Sequence, residues 1–152
     1  MTRTRVRRMT RTRVRADGMS PPLVYLVDDD RDFLDMEAAI LSAGGFRTRS
    51  FSESREALAA LVSADGEERP SLVVTDLMMK SLDAGFTFAR AVRSDPRLSD
   101  IPIVIVTAVA SQKGFDFRPR TTEDLAAMSA EAFFDKPVPP AAFLAKVREL
   151  LG

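Results

Sequence analysis

From Leu23 onward, apolar and polar positions follow two alternating periods. Short apolar or β-branched runs predict strands at Leu23–Val27, Phe46–Phe51, Leu72–Thr75, Ile103–Thr107 and Ala132–Asp135. Between and after them the spacing is helical. Over 31–43, Phe33, Leu34, Met36, Ile40 and Leu41 fall on one side; over 54–64, Leu58, Leu61 and Val62 do the same. The pattern repeats over 85–93 with Phe86, Phe88, Ala89 and Val92, and over 140–151 with Phe143, Leu144, Val147, Leu150 and Leu151. Gly44-Gly45, Gly66, Pro70, Pro96, Pro102 and Pro137 punctuate the elements. The first, third and fourth strands are almost wholly apolar, as strands covered by helices on both faces must be. The second, FRTRSF, alternates with arginine and suits a sheet edge. Five such units predict an α/β fold: one open, five-stranded parallel sheet with helices on both faces.

Residues 1–18 stand apart from this pattern. MTRTRVR occurs at 1–7 and again at 9–15. The segment has too little apolar surface to offset its ordering entropy, so it is expected to be a disordered arginine-rich tail, with the domain spanning 19–152. Clustered guanidinium groups attract phosphates. The absence of an interleaved aromatic, which base stacking would want, favours a plain solvated tail or an upstream extension of a chain starting at Met19. The formal net charge of zero hides this asymmetry. Seven arginines against one acid give the first eighteen residues +6, and the remainder carries −6.

Composition then removes whole classes of chemistry. The chain has no cysteine and no histidine. Disulfides, thiol nucleophiles, imidazole bases and histidine metal ligands are excluded. No apolar run is long enough for a membrane span, and the tail lacks the apolar core of a secretory signal; a cytoplasmic location is the expectation.

In open parallel sheets a ligand sits beyond the carboxyl ends of the strands. There the first strand ends in Asp28-Asp29-Asp30, the third in Asp76, the fourth in Thr107 and the fifth in Lys136-Pro137. A single Asp after a strand usually just caps the next helix. A converging set of carboxylates is costly without a cation among them, and a hard, oxygen-seeking ion such as Mg2+ suits it. An aspartate can also attack phosphorus, with a metal, an ammonium and a hydroxyl neutralising the phosphoryl group in transfer.

Four motifs, VDDD (27–30), VVTDLMM (73–79), IPIVIVTA (101–108) and FFDKPV (133–138), occur in this order. On them, over about residues 22–151, the chain resembles the receiver domain of two-component response regulators. The resemblance implies a flavodoxin-like sheet of strand order 2-1-3-4-5, an order that the pattern itself does not provide. It implies Asp76 as phosphoacceptor, with Asp28, Asp29, Asp76 and the backbone carbonyl of Met78 as the Mg2+ ligands, and Asp30 as a helix cap. Thr107 matches the hydroxyl that follows the phosphoryl group, and Ala108 the small neighbour that gives access to it. Lys136 matches the lysine that pairs with the phosphorylated aspartate, before a proline usually cis in this family. Phe133 falls at the switch-aromatic position, although a phenylalanine in an apolar strand also has a purely structural account. Three departures stand out. Lys80 replaces the usual proline, Asp83-Ala84-Gly85 is one residue longer than the common Asp-Gly, and 107–136 is extended and includes Phe115 and Phe117.

The implied function is a phosphorylation-dependent signalling module rather than a metabolic enzyme. It would take a phosphoryl group from the phosphohistidine of a sensor histidine kinase or phosphotransfer protein and signal to a target protein through 107–136. The alternative is a receiver-like interaction module independent of phosphorylation. An aspartyl-phosphate hydrolase would want an acid where Met78 stands. The length of the chain leads to the further expectation of no DNA-binding output domain.

Overall fold

The computed structural model describes residues 20–77, 84–108, 123, 126 and 128–152. The expectations for the tail at 1–18 and for Met78, Phe115 and Phe117 lie outside the described residues. Five strands, β1 (Leu23–Val27), β2 (Arg47–Phe51), β3 (Leu72–Thr75), β4 (Ile103–Thr107) and β5 (Ala132–Asp135), form one parallel sheet in the order β2-β1-β3-β4-β5. Among the described residues the helices include α1 (Arg31–Ala43), α2 (Ser54–Ser63), α3 (Ala84–Ser94) and α4 (Pro140–Leu151). The sequence pattern places β1, β3, β4 and β5 at these bounds and starts β2 one residue early, at Phe46.

Alternation along each strand divides the core into two layers. Tyr25, Val27, Val73, Ile103 and Ile105 face α2 and α3, meeting Leu61, Phe88 and Val92. Val24, Leu26, Val74, Val104 and Val106 face α1 and α4, meeting Leu34, Leu41, Phe143 and Val147. Burial on both sides is why these strands read as continuous apolar runs. The edge strand β2 keeps only Phe51 buried, consistent with its alternating arginines.

Two helical faces differ from the sequence reading. On α1, Met36 and Ile40 pack half-buried against the core as the spacing expects, but Glu37, an unexpected member, is fully buried with Leu34 and Leu41. Val62, assigned to the apolar side of α2, is 45% exposed, because the buried stripe runs through Ala57 and Leu61 one position earlier. α1 starts at Asp30, whose side chain accepts the Phe33 N–H at 3.2 Å, a standard way to satisfy an orphan helical donor. The helix stops at Gly44-Gly45. Gly45 has φ of 94°, open to glycine at little cost, and a Cβ on Gly44 would come within 2.6 Å of Leu144 Cδ1 on α4. Pro140 opens α4, where its missing N–H costs nothing.

Candidate phosphoryl site at the strand ends

The sheet itself suspends the acids. Just past their strands, the Asp76 N–H donates to the Val27 carbonyl at 3.0 Å and the Asp28 N–H to the Phe51 carbonyl at 3.1 Å. Across the sheet, the Lys136 N–H donates to the Thr107 carbonyl at 3.0 Å. Backbone ladder bonds thus fix where three candidate site side chains begin. Asp28, Asp76 and Lys136 each lie two residues beyond a side chain of the α1–α4 layer (Leu26, Val74 and Phe134), so strand alternation sends all three toward that layer.

Carboxylate oxygens of Asp28, Asp29 and Asp76 lie within 4.8 Å of one another. Asp28 and Asp76 are buried and Asp29 is exposed, so the cluster has a closed floor and an open lip. The Lys136 ammonium bridges the two buried acids, 2.8 Å from Asp28 Oδ2 and 3.1 Å from Asp76 Oδ2. Asp28 Oδ1 also accepts the Asp30 N–H at 2.9 Å. On a further side, Lys136 Nζ lies 4.2 Å from the centroid of the Phe33 ring. The Lys136–Pro137 peptide bond is cis.

Burial pushes the Asp28 carboxyl up to about 6, against the opposing pull of Lys136 and the Asp30 N–H and with some help from the charge of Asp76. Burial works against the Lys136 ammonium too. There the hydrogen bond to Asp28 and the charge of Asp76 outweigh it and hold the group above its ordinary value. Desolvation is what raises Asp28, and a further positive charge beside it would offset that cost. The donors of the pocket are hard carboxylate oxygens, so the residues present fit a small divalent cation such as Mg2+.

Thr107 sits at the end of β4, fully buried, and its Oγ1 has no hydrogen-bond partner among the described residues. A buried hydroxyl in that state is costly and calls for an explanation. Ala108 follows it, half-buried. Phe133 is half-buried and packs against the α2–α3 layer. Asp30 caps α1, and the converging set is Asp28, Asp29 and Asp76.

Sequence reasoning missed two participants. Glu37 is 2% exposed, and burial raises its carboxyl to about 8, with Asp28 and Asp76 adding to the effect and Lys136 opposing it. Phe33 was expected as core and also supplies the ring against Lys136. An acid at helical spacing between Leu34 and Leu41 was the available signal for Glu37. Nothing local in the sequence pairs Phe33 with Lys136.

Residues 24–148 match the family model described as response regulator receiver domain. The chain is 33% identical over 136 residues to the transcriptional regulatory protein GltR of Pseudomonas aeruginosa, covering 90% of this chain and 50% of that protein. It is 28% identical over 134 residues to the DNA-binding dual master transcriptional regulator RpaA of a Synechocystis strain, covering 86% of this chain and 49% of the relative. Among solved structures it is similar to the chemotaxis response regulator CheY4 of Vibrio cholerae, with a TM-score of 0.69 and 25% identity over 85% of this chain and 98% of that one. The chain thus spans about half the length of the curated relatives it matches. These relatives correct one expectation: that length excludes a DNA-binding output domain. Matched proteins are transcriptional and DNA-binding regulators about twice as long, and the size of a receiver says nothing of what it is joined to.

Proposed function

The chain belongs to the response regulator receiver domain family, and on that footing we propose that Asp76 accepts a phosphoryl group from a donor phosphohistidine. The family serves phosphorylation-based signalling and is not a group of metabolic enzymes. In the step itself an Asp76 carboxylate oxygen bonds to phosphorus as the phosphorus–nitrogen bond of the donor breaks, the electron pair staying with the imidazole. Water attacking the same phosphorus later releases inorganic phosphate and restores the carboxylate.

One observation carries the reading: three carboxylates converge within 4.8 Å, and a buried ammonium bridges two of them. Asp28, Asp29 and Asp76 are the side chains that would hold Mg2+, and the family resemblance adds the Met78 carbonyl as a ligand. A bound ion there supplies positive charge to the phosphoryl oxygens. Lys136, already 3.1 Å from Asp76 Oδ2, donates to the group as charge builds on it. The unpartnered Thr107 hydroxyl is the second donor, and phosphorylation gives it an acceptor. Ala108 leaves the approach open. Phe133 is the aromatic that turns when Thr107 moves, and the signal leaves through 107–136.

Incubating the protein with Mg2+ and acetyl phosphate, then weighing the intact chain, should show a gain of one phosphoryl group. Asp76→Asn should abolish it, and a gain that survives this substitution overturns the assignment. Asp29→Ala should lose Mg2+ binding and phosphorylation together, because an octahedral cation loses a charged ligand at the open lip. Unchanged Mg2+ affinity in that variant counts against the pocket.

A further inference from the structure

Lys136 is held from two sides by contacts of different kinds. Toward the strand ends its ammonium meets Asp28 and Asp76 at 2.8 and 3.1 Å. Toward α1 it lies 4.2 Å from the centroid of the Phe33 ring, within the range where the ring quadrupole attracts a cation. The ring is itself well anchored. Its backbone N–H is the donor that Asp30 accepts to start α1, and its side chain is half-buried against the α1–α4 layer.

The two carboxylates are contested partners. Any divalent cation entering the cluster draws on both, and Asp76 changes charge and size when phosphorylated. The Phe33 ring is neutral and is altered by neither event. Among the described contacts of Lys136, the ring is the one whose attraction persists through the whole cycle.

We propose that Phe33 is a positioning residue, whose ring face keeps the Lys136 ammonium at the rim and aimed at Asp76 while the acids around it change partners. The inference rests on the phosphoacceptor reading of Asp76 and deepens it. It separates from plain packing by chemistry, since a leucine can fill space on α1 but offers no π face. Loss of the ring should slow phosphoryl transfer and leave Mg2+ binding nearly alone, because a phenyl ring offers no oxygen ligand to a hard cation.

The test uses the full chain and its Phe33→Leu and Phe33→Tyr variants, with acetyl phosphate at saturating Mg2+ and NMR of the Lys136 ε-methylene. Phe33→Leu should lower the maximal phosphorylation rate by about three- to ten-fold, the kinetic equivalent of losing one partly buried cation–π contact. Phe33→Tyr should restore it to within about two-fold, since the π face is kept. In a Lys136→Met background, Phe33→Leu should have no further effect on Mg2+ affinity or residual rate. The Lys136 ε-protons should resonate upfield from ring current in the parent, keep the shift in Phe33→Tyr and lose it in Phe33→Leu. A parental rate in Phe33→Leu overturns the proposal, as does a Phe33→Tyr variant as slow as the leucine one. Should the parent itself take up no phosphoryl group, the reading of Asp76 fails on its own. The ε-proton shift then still decides: its loss in Phe33→Leu upholds the Lys136–Phe33 contact, and its absence from the parent overturns it.

Discussion

The two layers covering the sheet are made of different materials. The α2–α3 layer is closed by Tyr25, Phe51, Leu61, Phe88 and Ile105, and among the described residues it buries no carboxylate or ammonium. The α1–α4 layer has a comparable apolar set, yet Glu37 is buried within it, and strand alternation turns Asp28, Asp76 and Lys136 toward it. One layer stabilises; the other carries charge at a cost. Concentrating desolvated charge on one side leaves the opposite side free to supply cohesion without compromise.

The largest effect that tests this contrast is in the apolar layer. Leu61→Ala removes a side chain that is 1% exposed and should cost about 2–5 kcal/mol in chemical denaturation. Fold permitting, Mg2+ affinity should be unchanged, and a large loss of affinity would mean the two layers are not separable.

Next comes the acid in the other layer. Glu37 is raised from 4.5 to about 8, so between those values the folded chain holds a proton that the unfolded chain releases. Stability from this group is full below pH 4.5 and falls as pH rises toward 8, by up to about 1.4 kcal/mol per pH unit. Asp28 acts in the same direction between 3.8 and about 6. Lys136 starts from 10.5 and is held higher, so it titrates outside this range. Glu37→Leu should therefore stabilise the Mg2+-free protein at pH 8 by up to about 4 kcal/mol, most of the worth of a shift from 4.5 to about 8. The decline with pH should then end near 6 instead of continuing to 8. Urea midpoints at half-unit pH steps would read this directly, and an unchanged slope above pH 6 would remove Glu37 from the account.

The smallest effect is a control. Val62 adjoins Leu61 in sequence but is 45% exposed, so Val62→Ser should shift stability by less than about 0.5 kcal/mol. A cost near that of Leu61→Ala would mean that α2 packs through a different stripe.

The same pair of residues shows what a sequence can and cannot disclose. Leu61 and Val62 are equally apolar, and only the rotation of α2 against the sheet decides which one is covered. Strand ends are easier, because β1, β3 and β4 are buried on both faces and the polar residues that close their apolar runs mark where the rim begins. Asp28, Asp76 and Thr107 were legible for that reason, and Lys136 as the cation just past the end of the fifth run. Glu37 was not, since an acid within an amphipathic helix reads as part of its wet side until the packing is known. The Phe33–Lys136 contact joins the first helix to the end of the last strand, and no local pattern encodes it.

The ladder bonds that suspend the acids also bear on the order of assembly. Asp28 is positioned by Phe51, Asp76 by Val27, and Lys136 by Thr107, each across a different pair of neighbouring strands. All four pairings in the sheet are parallel, so each must close a long stretch of chain before it gains anything, which makes such topologies slow to form. A folding chain with β5 still undocked has its acids but not its lysine, and one with β3 undocked lacks Asp76 at the rim. On the proposed reading, a chain that lacks any one of these pairings lacks a member of the phosphoryl site, so only the fully paired sheet would respond.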